Sequence, residues 1–119
     1  MKKENEQKQI RVMVVDDNES LVEMLKEYFS DHEKISIDKM KEDINGFDVL
    51  LLDLVMPKKD GLYVLEQMKK ESINKPVIIG TSFNADETIA RVSKYNPKHF
   101  ILKPFDMLDL ENKILDAVN

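Results

Sequence analysis

Four short aliphatic runs in this chain each stop on a polar side chain, and that pattern limits the possible folds more than any other feature. "IRVMVV" (10–15) gives way to Asp16 and Asp17, "VLLL" (49–52) to Asp53, "VIIG" (77–80) to Thr81, and "FIL" (100–102) to Lys103. The runs are continuous rather than alternating, as strands read when helices cover both faces of a parallel sheet. Helical periodicity fills the intervals. Leu21, Met24, Leu25 and Tyr28 recur at helical spacing after a possible cap at Asp17 or Asn18. Gly61 opens a second helix with Leu62, Leu65 and Met68 on one face, and residues 85–94 form a weaker one around Ile89 and Val92. Met107, Leu110, Ile114 and Val118 mark the last helix, and Ile35-Ser36-Ile37 is a further brief strand.

In an open parallel α/β sheet the carboxyl ends of the strands share one edge, and ligands bind there. Asp16, Asp17, Asp53, Thr81 and Lys103 are therefore expected to meet in one crevice. An unpaired buried carboxylate costs several kcal/mol, so an aspartate closing the run "VLLLD" needs an edge and company. Three neighbouring carboxylates repel one another, which makes a divalent cation their natural occupant. Oxygen donors without histidine or cysteine favour a hard ion, Mg²⁺ more than Ca²⁺. With the Lys103 ammonium and the Thr81 hydroxyl added, such a site stabilises phosphoryl oxygens, and Asp53 is placed to act as nucleophile on phosphorus.

Bulk properties exclude several other classes. A chain of 119 residues suits one domain with one core, expected over 10–119 behind a polar arm at 1–9, "MKKENEQKQ". The absence of cysteine excludes disulfides and thiolate metal sites and fits a reducing cytoplasm. A net charge of −5 argues against direct nucleic-acid binding, and no apolar stretch is long enough for a membrane span. His32 and His99 are too few for a metal site and read as surface or boundary residues.

Four segments in order, "VVDDN" (14–18), "LLLDLVMPKKDGL" (50–62), "VIIGTS" (77–82) and "FILKPF" (100–105), resemble the receiver domain of two-component response regulators. The resemblance covers nearly the whole chain. It implies a flavodoxin-like (CheY-like) α/β fold, a doubly wound five-stranded parallel sheet with helices on both faces. Carried over by position, Asp53 is the phosphoacceptor, and Asp16, Asp17, Asp53 and the Val55 backbone carbonyl hold Mg²⁺. Lys103 pairs with the phosphoryl group ahead of a cis Lys103-Pro104 bond, and Thr81 and Phe100 form the switch. The implied partners are a histidine kinase or histidine phosphotransferase and, after phosphorylation, a second copy of the chain. DNA would be reached only through a separate output domain. The family is a phosphoacceptor with limited autophosphatase activity rather than a turnover enzyme. "HFILKPFDMLDL" is similar in wording to receivers of sporulation regulators, which would place the chain in a phosphorelay.

Departures from the family pattern concentrate in one place. Between Asp17 and Asp53 the chain is shorter than usual by roughly two to three helical turns. A parallel crossover usually takes a dozen or more residues, so the second strand–helix unit is expected to be shortened, with "DKMKEDINGFD" a possible helix tail. Asn96-Pro97 stands where the family often has Gly-Ala, so the helix before it is expected to end early. Two other functions compete. A pseudo-receiver would bind partners without phosphorylation. An aspartate-nucleophile phosphohydrolase would need an acid two residues after its nucleophile, where this chain has Val55.

Overall fold

Strands form where the aliphatic runs predict them. β1 (Ile10–Val15), β3 (Val49–Asp53), β4 (Val77–Thr81) and β5 (His99–Leu102) come from the four runs. β2 (Ile35–Lys39) extends two residues past the expected segment. In the computed structural model, which describes residues 9–39, 46–54, 61–81 and 85–119, the strands form one sheet in the order β2-β1-β3-β4-β5. Every neighbouring pair is parallel. The described helices are α1 (Glu19–Tyr28), α2 (Gly61–Lys70), α3 (Ala85–Val92) and α4 (Met107–Ala117). α3 does end early. A 3₁₀ turn at Ser93–Tyr95 follows it, and Asn96 stops the chain with a left-handed φ of 54°.

Side chains alternate across the sheet and divide the core in two. Val12, Val14, Val49, Leu51, Ile78 and Ile101 face α1 and α4, where Val22, Leu25, Leu110 and Ile114 meet them. Met13, Leu50, Leu52 and Ile79 face α2 and α3, where Val64, Leu65, Met68 and Val92 meet them. The buried stripe of α1 is turned from the expected one. Val22, Leu25 and Phe29 are buried, whereas Met24 and Tyr28 are exposed. Both stripes satisfy helical spacing; Phe29, just past the helix end, completes the one that faces the sheet. Ile89 and Val118 are likewise exposed, and Val92 carries the buried contact of α3.

The shortened unit proves half right. β2 is a genuine strand, and its hydrogen-bonded register with β1 runs from Ile10↔Ile35 to Val14↔Lys39. The helix-tail reading fails at both ends, because Asp38 and Lys39 complete β2 and residues 46–48 are not helical. Residues 40–45 lie outside the described set. β2 also differs from the other strands in pattern. Ile35 and Ile37 face the α1/α4 core, while Ser36 and Asp38 point the other way. Alternation of this kind belongs to a strand with one wet face. No described helix covers that side of β1 and β2. Phe47, only 1% exposed, packs there beside Met13. A groove of about 220 Å³ remains, lined by Arg11, Met13, Asp38, Lys39 and Phe47.

Arg11 and Asp48 fasten this end of the sheet. The Asp48 N–H donates to the Arg11 carbonyl at 2.8 Å, and Asp48 Oδ2 accepts from Arg11 N at 2.8 Å and Nε at 3.4 Å. Partial burial opposes the Asp48 charge, but these bonds hold its carboxyl below the usual range. Gln9 donates to the His32 carbonyl at 3.0 Å, which ties down the last residue of the expected arm.

Because the Phe47 ring is almost fully buried in the α2/α3 core, Phe47→Ala is expected to cost about 3–5 kcal/mol. Urea denaturation followed by circular dichroism measures it.

Candidate functional site

Strand register decides which side chains meet. Val15 pairs with Leu52, Asp53 with Gly80, Gly80 with Ile101, and Thr81 with Leu102. The residues after β1, at the end of β3 and after β5 therefore emerge at one edge. One carboxylate oxygen from each of Asp16, Asp17 and Asp53 lies within 4.8 Å of the others. Lys103 Nζ donates to Asp16 Oδ2 at 2.6 Å and lies 3.4 Å from Asp53 Oδ2. The side chains of Asp16 and Asp53 are only 4% and 11% exposed, so that ammonium neutralises two nearly buried charges. Burial works against the charge of Lys103. Its bond to Asp16 and the field of Asp53 outweigh that, and its pKa is raised.

Local structure holds each group. Asp16 Oδ1 accepts the Asn18 N–H at 2.9 Å, and Asn18 Oδ1 accepts the Leu21 N–H at 3.1 Å to cap α1. The turn bearing both acids is thus tied to the helix it starts, and Asn18 rather than Asp17 is the cap. The Lys103 N–H donates to the Thr81 carbonyl at 2.7 Å, which joins the ends of β4 and β5. The Lys103-Pro104 bond is cis, as expected. Thr81 is buried at the end of β4, and Phe100 is half-buried against the α2/α3 core. Val55 lies outside the described residues.

Gly61 has a role that spacing alone does not reveal. Its N–H donates to the Leu54 carbonyl at 3.1 Å, which brings the start of α2 against the chain that carries Asp53. A Cβ at Gly61 would stand 2.5 Å from the Asp53 carbonyl oxygen and 2.8 Å from Leu54 Cα. Only glycine allows that approach.

The site suits a hard divalent cation. Its donors are carboxylate oxygens, two nearly buried and the third, on Asp17, facing solvent. Few protein oxygens with an open side is how Mg²⁺ is usually held, since it keeps several waters.

The response regulator receiver domain model matches residues 12–115. The chain belongs to the receiver-domain family. Its fold agrees with solved receivers. The Francisella response regulator 1452 receiver is 24% identical, covers 92% of this chain and 97% of its own, and has a TM-score of 0.79. The chemotaxis protein CheY4 of Vibrio cholerae is 19% identical, with 92% and 98% covered and a TM-score of 0.80. At such identity these structures show the fold alone. Among curated proteins, the nisin biosynthesis regulatory protein NisR of Lactococcus lactis subsp. lactis is 25% identical over 111 residues, 87% of this chain and 48% of that protein. The receiver thus spans about half the length of that relative. Receiver domains are phosphoacceptors that take their phosphoryl group from histidine kinases and bind Mg²⁺ at an acidic pocket. No helix among the described residues is long and apolar enough to cross a membrane.

Lys103→Met is expected to lower stability by on the order of 1–3 kcal/mol, a figure kept modest by the partial exposure of Lys103. Since the folded pKa of Lys103 is raised above its ordinary 10.5, the difference from wild type should be complete below that pH. It should shrink as the pH climbs through the folded value. Paired denaturation curves from neutral to strongly alkaline pH check the sign.

Proposed function

We propose that this receiver accepts a phosphoryl group on Asp53 from a phosphohistidine and converts it into a change of surface. The observation that carries the reading is the Lys103 ammonium between Asp16 and Asp53, beside the exposed Asp17. An Asp53 oxygen forms the new P–O bond as the P–N bond to the donor imidazole breaks. The departing nitrogen keeps the bonding pair and, with a proton from water, leaves as neutral histidine. Asp16, Asp17 and Asp53, with the Val55 carbonyl, would hold Mg²⁺, which when bound supplies charge neutralisation to the phosphoryl oxygens. Lys103 stabilises the same oxygens from the β5 side. Hydrolysis by water expels the Asp53 carboxylate and resets the domain, so the only turnover is slow self-dephosphorylation.

Phosphorylation adds a charge of about −1.5 to −2 at the edge. The Thr81 hydroxyl turns toward it, and Phe100, half-buried in this structure, packs further in. The altered surface, formed by α3, β5 and α4, pairs with a second copy. The pair then controls a DNA-binding output domain in the cytoplasm. The wording of "HFILKPFDMLDL" supports a place in the phosphorelay that starts sporulation, with a histidine phosphotransferase as donor.

Acetyl phosphate with Mg²⁺ is expected to add the mass of one phosphoryl group to wild type and none to Asp53→Asn. Chelation of the metal should abolish the gain, and Lys103→Ala should slow it about 10²-fold. No gain on wild type, or an equal gain on Asp53→Asn, ends this reading.

A further inference from the structure

Lys103 has an unusual distance to cover. It follows β5, yet its ammonium reaches carboxylates at the ends of β3 and β1, two and three places along the sheet order. Neighbouring strands lie about 4.8 Å apart, so the lysine stem must pass over the end of β4. The β4 residue in register with Asp53 on one side and Ile101 on the other is Gly80. By strand alternation, position 80 faces the same side as Ile78 and Ile101, toward α1 and α4. A glycine there leaves a gap in the row. The Phe105 ring fills it. A Cβ built on Gly80 would lie 3.1 Å from Phe105 Cζ and 3.3 Å from Cε1, with Lys103 Cε at 3.8 Å. The ring and the lysine stem thus converge on the space that a side chain at position 80 would take. Phe105 is itself partly buried against the α1/α4 core, which holds the ring in place.

We propose that Phe105, seated in the berth that Gly80 leaves open, is a positioning residue that holds the Lys103 stem along its path to Asp16 and Asp53. A lysine stem is flexible and loses rotamer entropy when it is fixed. A rigid ring beside it removes the alternative rotamers before any ligand arrives. Phe105 touches no reacting atom and acts only through Lys103.

A size exchange tests this, with two readouts. Phe105→Ala empties the berth, Gly80→Val crowds the ring out of it, and Gly80→Val/Phe105→Ala refills it from β4. Each single variant is expected to slow Mg²⁺-dependent phosphorylation by acetyl phosphate about tenfold or more. The double variant should return to within about threefold of wild type, the non-additivity of residues that share one space. Phe105→Ala should have no further effect in a Lys103→Ala background. The second readout is the Lys103 ammonium signal in lysine-selective ¹⁵N NMR, identified by its loss in Lys103→Arg. It should broaden in each single variant and sharpen again in the double. Should Gly80→Val fail to fold, Phe105→Ala alone decides. Rate and signal both unchanged in Phe105→Ala, or losses that add in the double variant, overturn the proposal. The kinetic readout rests on the receiver reading and the spectroscopic one does not. Wild type that takes no label while the signal responds as described ends the receiver reading and keeps the positioning role; normal labelling with indifferent variants does the reverse.

Discussion

Mutual repulsion of three carboxylates is the constraint around which this domain is built. Asp16, Asp17 and Asp53 come within 4.8 Å of one another at the edge of a hydrophobic sheet, two of them almost out of water. Charges in that situation must be neutralised or protonated. Lys103 supplies one positive charge from the far side of the sheet, and the family's Mg²⁺ supplies the rest when it binds. In the proposed function the same charges serve the chemistry, because Lys103 together with a bound Mg²⁺ would offset the negative charge of an incoming phosphoryl group. Fold and chemistry therefore share one cause. A parallel sheet brings the strand ends together, and the ends carry the charges.

The crossover between β2 and β3 shows how much of the architecture the site requires. No described helix covers the Ser36–Asp38 side of β2, yet the acidic cluster and its lysine are assembled. β2 is the outermost strand beyond β1 and contributes no carboxylate to the cluster. Among the described residues, β2 presents a polar outer face and Phe47 is buried in the same core as Met13. The described site residues lie at the ends of β1, β3, β4 and β5, away from the shortened crossover.

Much of this was legible in the chain. Continuous aliphatic runs mark buried parallel strands, and a polar residue at the end of each run marks the edge, so the sheet and the meeting of Asp16, Asp17, Asp53 and Lys103 could be read directly. What could not be read depends on contacts across the fold. Two stripes on α1 satisfy helical spacing equally, and only the sheet selects Val22, Leu25 and Phe29. Phe47 is a single aromatic in a polar stretch, and local pattern gives no hint that it is buried in the α2/α3 core. The needs for Gly61 and Gly80 lie in what packs against them, the Asp53 carbonyl in one case and the Phe105 ring in the other. Receivers share their edge residues, whereas partners are chosen by surfaces.

The most direct test of the edge as a phosphoryl-binding cradle is ¹⁹F NMR of the domain with Mg²⁺ and beryllofluoride, a mimic of the bound phosphoryl group. Wild type should show a bound fluoride signal that is lost in both Asp53→Asn and Asp16→Asn, although both variants still fold. A bound signal that survives both substitutions, or none in wild type at saturating Mg²⁺, would contradict the account.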